Sequence, residues 1–146
     1  MKQRRIMMAS DISGGMESLP HLEEGKYVVE LVEGTRGAPK YGRTDLVLKF
    51  RISQGKHKGV VLLAYYQVQW IDHKRFTSGP KSNYFRDYQS CIGKVEGLSS
   101  FTTSDFKSGK YVAKVQSVKK DSDREDLAHI NWYSRVGRLL KSHDGF

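Results

Sequence analysis

Residues 45–53 read DLVLKFRIS, and they alternate almost without error. Leu46, Leu48, Phe50 and Ile52 are apolar, and Lys49 and Arg51 stand between them. Successive side chains of a strand point to opposite faces. The stretch therefore predicts a strand with one face in a core and a cationic face outside.

The neighbouring residues extend this pattern on both sides. Upstream, EGKYVVELVEG (24–34) predicts a first strand opened by Gly25 and closed by Gly34, with Tyr27, Val29 and Leu31 alternating. TRGAPKYGRT (35–44), with Gly37, Pro39 and Gly42, is a loop. Downstream, QGKHKG (54–59) is a short turn, and Val60 to Trp70 is a third strand rich in β-branched and aromatic residues. Gly79-Pro80 breaks the pattern. The period then changes: Tyr84 or Phe85, Tyr88, Cys91 and Ile92 recur at three and four, behind Ser82 as N-cap and before Gly93. That spacing predicts a short helix. Residues 94–109 read as connector, KYVAKVQSVKK (110–120) as strand four, DSDREDLA (121–128) as a polar loop and HINWYSRVGRLL (129–140) as strand five.

The order β-β-β-α-β-β is that of an OB-fold: all-β with one short helix, a five-stranded Greek-key barrel. An SH3-like barrel lacks the helical insertion at this point. The domain is expected over 23–141, with residues 1–22 as an arm and 142–146 as a tail.

The 146 residues carry a formal net charge of +9, which favours polyanions: nucleic acid first, an anionic membrane second. The charge is segregated. Nine cations and two carboxylates lie between Thr35 and Arg75, so seven of the nine net positive charges fall in 41 residues, while Glu17 to Glu33 is acidic. Cys91 is the single cysteine, which excludes an internal disulfide and fits a reducing compartment. The apolar run Ile6 to Ala9 is too short for a signal peptide, no stretch is apolar enough to span a membrane, and Met7 or Met8 is an alternative start.

An OB barrel binds ligands on the face of strands two and three, flanked by the loops joining strands one–two and four–five. Here the first loop offers Arg36, Lys40, Tyr41 and Arg43. Strand two offers Lys49 and Arg51, the turn Lys56 and Lys58, strand three Tyr65 and Trp70, and strand five Tyr133 and Arg135. Cations track phosphates and aromatic rings stack unpaired bases, the mixture that single-stranded nucleic acid requires. Lys49 and Arg51 also fit ordinary solvated strand positions. By parity Tyr66 points inward and Tyr65 outward, although one bulge would reverse them. Trp70 is core or rim. Trp132 shares parity with Ile130 and Val136 and is expected in the core. Tyr41, in a loop with no core to join, is the foremost stacking candidate.

Catalytic and metal-binding patterns are thin. His21, His57, His73, His129 and His143 lie in different elements without ligand spacing. Cys91 falls on the apolar side of the helix. DSDRED lacks the glycine and distal glutamate of a calcium loop, no phosphate-cradling GxxxxGK[ST] occurs, and GTRG (34–37) lies between strands rather than the helices of a KH clamp. No enzyme, cofactor or metal is expected.

EGKYVVELVEG, DLVLKFRISQGKHKG, IGKVEGL, SGKYVAKVQSVKKD and WYSRV together resemble a group of small phage and mobile-element proteins. These are OB-fold single-stranded-DNA-binding proteins, often described only as a domain of unknown function. The likeness spans roughly Leu22 to Leu140, and its most specific element is L-x-L-x-F-x-I-x-x-G-x-x-x-G across Leu46 to Gly59. The resemblance implies a non-enzymatic single-stranded-DNA binder in replication or recombination of a mobile element, in the cytoplasm of a bacterial host. It implies binding at Lys49, Arg51 and the Arg36–Arg43 loop, and allows replication or recombination proteins or a second copy as partners. Well-known bacterial single-strand binders end in an acidic tail finishing in Phe. SHDGF (142–146) has Asp144 and Phe146 but no acidic run. RNA binding and a protein–protein adaptor role are the alternatives.

Overall fold

The computed structural model describes residues 19–39, 42–93, 103–107, 109–120, 124–129 and 132–143. Its elements are β1 (Gly25–Arg36), β2 (Asp45–Ile52), β3 (Val61–Gln67), β4 (Gln69–Trp70), β5 (Phe76–Thr77), α1 (Asn83–Cys91), a 3-10 turn at Thr103–Phe106, β6 (Tyr111–Val118) and β7 (Tyr133–Ser142).

The alternation of β2 dictates what is buried. Leu46, Leu48, Phe50 and Ile52 are at most 3% exposed. Each fully buried side chain of this kind contributes about 1.5–3 kcal/mol. Opposite them in register stand Leu62, Ala64 and Tyr66 of β3 and Val29 and Leu31 of β1, all buried. Gly55 and Gly59, at φ +83° and +94°, make the tight β2–β3 turn that holds this register.

Five strands form one antiparallel sheet in the order β3-β2-β1-β6-β7, and β4 pairs with β5 in a separate two-stranded ribbon. The outer strands β3 and β7 lie side by side, but no backbone ladder joins them among the described residues, so the sheet is not closed. Among the described residues the chain is thus mostly β with one helix, and the five strands of the main sheet succeed one another along the chain, with the helix after the third, as expected. The third strand is shorter than its composition suggests. It breaks at Val68, and Trp70 joins the ribbon.

The first strand runs through Gly34 to Arg36, and a bulge interrupts its pairing with β2. Leu31 opposes Phe50 and Glu33 opposes Lys49, which leaves Val32 extra and exposed. The last strand has two more irregularities. Val136 opposes Val115 and Leu139 opposes Ala113, so Gly137 and Leu140 are the added residues. Simple alternation therefore fails along β7: Ser134, Val136 and Leu139 all point inward. The strand runs from Tyr133 to Ser142, so it begins four residues later and ends two later than the expected 129–140.

The helix forms where its signals stand. The Phe85 amide donates to Ser82 Oγ at 3.2 Å, an N-cap. Tyr84, Tyr88 and Cys91 face the sheet, with Phe106 and Tyr111 completing an aromatic cluster at edge-on angles. Ile92, expected with the apolar side, is exposed. Asp87 is only 1% exposed. Its carboxylate accepts from Tyr66 Oη at 2.7 Å, Arg86 Nε at 2.8 Å and the Leu139 amide at 3.2 Å, so one side chain ties α1 to β3 and β7. Burial, then the Asp87 charge, pushes the Tyr66 hydroxyl well above its usual pKa, so it remains a donor.

Candidate nucleic-acid interface

The outward residues of β2 and β3 share one face. Tyr65 opposes Val47, Leu63 opposes Lys49 and Val61 opposes Arg51. Tyr65 points out, 43% exposed, and Tyr66 points in. Val61 is exposed as well, so the middle of this face is apolar and aromatic rather than uniformly charged.

The cations at its inner border are partnered. Lys49 Nζ lies 3.0 Å from Glu33 Oε1. Arg51 donates from Nε and Nη2 to Glu30 Oε1 at 3.0 and 2.9 Å, and no bond among the described residues occupies its Nη1. Antiparallel pairing thus folds the acidic segment back onto the basic one, and a segregation plain in the sequence is partly cancelled in space. Both cations remain about half exposed and neither turns inward.

Around Tyr65 the seam between β3 and β7 forms a cleft. It is a shallow gap of about 30 Å³, room for about one water, where Val61, Leu63 and Tyr65 of β3 meet Tyr133 and Arg135 of β7, with Leu19 and Pro20 lying against it. Partial burial raises the Tyr65 pKa, the nearby Tyr133 adds to the effect and Arg135 opposes it. Ser134 anchors the incoming chain: its amide donates to Pro20 O at 2.8 Å, and the Leu22 amide donates to its Oγ at 2.7 Å.

At the other end of Tyr65 lies a hollow of about 310 Å³, bounded by Gly37, Ala38, Arg43, Val47 and Leu63. That is the lower end of ordinary ligand-site volumes, about 300–1,000 Å³. Gly37 packs so close to β2 that a Cβ would lie 3.1 Å from Asp45 O and from Val47 Cγ2. Its amide donates to that same oxygen at 2.9 Å, which fixes the start of the loop. Arg43 lines this hollow and a second of about 380 Å³ that reaches Gln67, Gln69, Trp70 and Thr77. Its Nε is 3.2 Å from Asp45 Oδ1.

Other expected site residues are placed differently. Trp70 is half-buried: its Nε1 donates to Thr44 O at 2.7 Å, its ring meets Phe76 edge-on, and the Arg36 guanidinium sits 4.7 Å above it. Arg36 also donates to Asp72 O at 3.1 Å. These two hold the β4–β5 ribbon against the end of β1, so Trp70 belongs to the rim, where it also lines the hollow of about 380 Å³. Trp132 is not in the core. Because β7 starts at Tyr133, Trp132 sits in the preceding turn, half-buried, with Nε1 on Leu127 O at 3.0 Å, His129 at 4.5 Å and Lys119 Nζ 4.7 Å over its ring. Lys56 and Lys58 are exposed in the β2–β3 turn, away from the hollow by the length of the strands. Lys40 and Tyr41 lie outside the described residues, as do Ile130, Asn131, Asp144 and Phe146.

The chain matches no family model, no curated protein and no solved structure.

Among the described residues, no group of three or more His, Cys, Asp or Glu is placed to hold a metal, and no helix is long and apolar enough to cross a membrane. Val61 and Leu63 are site residues that the sequence did not mark. Their outward placement was implicit in the parity of Tyr65, but aliphatic residues on a solvent face carry no signal of their own.

Proposed function

We propose that this chain is an OB-fold single-stranded-DNA-binding protein, acting in replication or recombination of a phage or mobile element with little sequence preference. The strand order β3-β2-β1-β6-β7 is that of an OB barrel cut open between its third and fifth strands, and such barrels are often only partly closed. On this reading, the face that binds oligonucleotides in OB proteins corresponds to the outer surface of β2 and β3.

One observation carries the reading. Tyr65 stands exposed on the β3 side of that surface, with Tyr133 and Arg135 on one side and the Arg43 hollow on the other. An unpaired base can stack on the Tyr65 ring while its phosphates meet Arg43, Arg51 and Arg135. Each base–aromatic stack contributes about 1–3 kcal/mol and tolerates any base. A duplex, whose bases are already stacked, gains nothing from such a ring. Helix α1, nine residues long, has Arg86 as its single cation, engaged with Asp87, and suits a groove poorly.

Titration of a labelled 30-nucleotide single strand, its RNA counterpart and its duplex at two salt concentrations tests the reading. Tighter, salt-sensitive binding of the DNA single strand is expected. Preference for the duplex, or no binding at low salt, would overturn it; preference for the RNA would move the ligand assignment.

A further inference from the structure

Cross-strand register brings together cations that are far apart in sequence. Lys26 of β1 opposes Lys114 of β6, and Lys114 opposes Arg138 of β7. Three positive residues therefore stand in one row across three strands, on the outer face of the sheet. The strands are about 4.7–4.9 Å apart, so the row is about 10 Å long. Arg135, opposite Gln116, and Lys141, opposite Val112, continue the same face along β7. All five cations are exposed.

Like charges directly opposed on a sheet are destabilising. Lys49 and Arg51 show how this chain neutralises cross-strand cations, each with a glutamate opposite. The row has no such partner: none of the ion pairs among the described residues includes Lys26, Lys114, Arg135, Arg138 or Lys141. Glu24, which precedes the row, accepts from the Ser117 amide at 2.9 Å instead. The side chain of Gln116 lies flat against Gly137, where a Cβ would fall 2.4 Å from its Cδ, and leaves the cations standing on either side. Arg135 joins this wall to the Tyr65 cleft, since it lines both.

We infer that the outer wall of β1, β6 and β7 is a second track for the phosphate backbone, taken up by a single strand that leaves the Tyr65 cleft past Arg135. The inference rests on the single-strand reading and extends it. The cleft supplies stacking, and the wall supplies sequence-blind attraction through Lys26, Lys114 and Arg138. A strand too short to pass Arg135 uses the cleft alone.

The test compares dT4 with dT30 on the full chain and on the triple variant Lys26→Gln, Lys114→Gln, Arg138→Gln. Each single-strand phosphate contact contributes about 0.7 to the slope of log K against log salt. The triple variant is expected to lose about 2 from the dT30 slope, to bind dT4 within twofold of the native chain, and to melt no lower. An unchanged dT30 slope would overturn the second track while leaving the cleft intact. Failure of the native chain to bind dT30 at low salt would instead sink the single-strand reading. Melting below the native chain would refute the claim that the row lacks a structural partner. Binding to anionic lipid vesicles with no gain from dT4 to dT30 would assign the wall to a membrane surface and overturn the track.

Discussion

Glu30→Gln with Glu33→Gln should strengthen single-strand binding. Lys49 and Arg51 face outward but are held by these carboxylates at 3.0 Å and at 3.0 and 2.9 Å. Had the two cations been free, reversing them to glutamate would weaken binding at little cost to the fold. In the structure that reversal would set like charges opposite one another at two cross-strand positions, so stability and binding would fall together and could not be separated. Removing the glutamate charges is the cleaner perturbation. Ion pairs this exposed contribute roughly 0–1 kcal/mol each, so the double change should lose at most about 2 kcal/mol. A chain of this size loses about 2–4 °C per kcal/mol, and the melting temperature should fall by less than about 8 °C. Meanwhile two cations become free for phosphate, and at about 0.7 per contact the salt slope should steepen by about 1.4. Fluorescence anisotropy of labelled dT30 over a salt series reads this directly. A slope unchanged or shallower, with the fold intact, would show that Lys49 and Arg51 lie off the path of the strand.

Three further outcomes are expected. Tyr65→Ala removes a stacking ring of about 1–3 kcal/mol and should weaken dT10 binding by about 5- to 150-fold at one salt concentration, with melting nearly unchanged; equal binding would remove Tyr65 from the site. Asp87→Ala leaves the buried Tyr66 hydroxyl and Leu139 amide without an acceptor, at about 1–3 kcal/mol for each, and chemical denaturation should show a loss on the order of 2–6 kcal/mol; a loss under about 1 kcal/mol would mean the carboxylate is not the tie between helix and sheet. Burial, then the Asp87 charge, pushes the Cys91 thiol up to about 12, so a thiol reagent at pH 8 should modify it only after unfolding, and rapid reaction in the native chain would contradict its placement.

The second strand was legible because its four inward residues alternate without interruption, and the helix because Ser82 and the Tyr84–Tyr88–Cys91 spacing are local signals. Tyr65 and Tyr66 were separable by parity for the same reason. Parity failed wherever a bulge intervened. Val32, Gly137 and Leu140 each add a residue to one strand of a pair, and nothing in a single strand announces that. Trp132 was misplaced because its parity was counted along a strand that begins one residue later. The pairing of Glu30 and Glu33 with Lys49 and Arg51 depends on register between strands, as does the row Lys26–Lys114–Arg138. Charge counted along the chain therefore located the basic surface only in part: one stretch rich in cations is partly neutralised, and three scattered cations make an unpaired wall. Asp87 was hidden because a lone acid in a helix ordinarily faces water.

The most direct measurement is a map of amide chemical-shift changes as dT10 is added to the labelled chain. Binding in the cleft predicts the largest shifts at Val61, Tyr65, Tyr133 and Arg135 and in the Gly37–Asp45 loop. Shifts confined to α1 and the β4–β5 ribbon, or none at low salt, would contradict it.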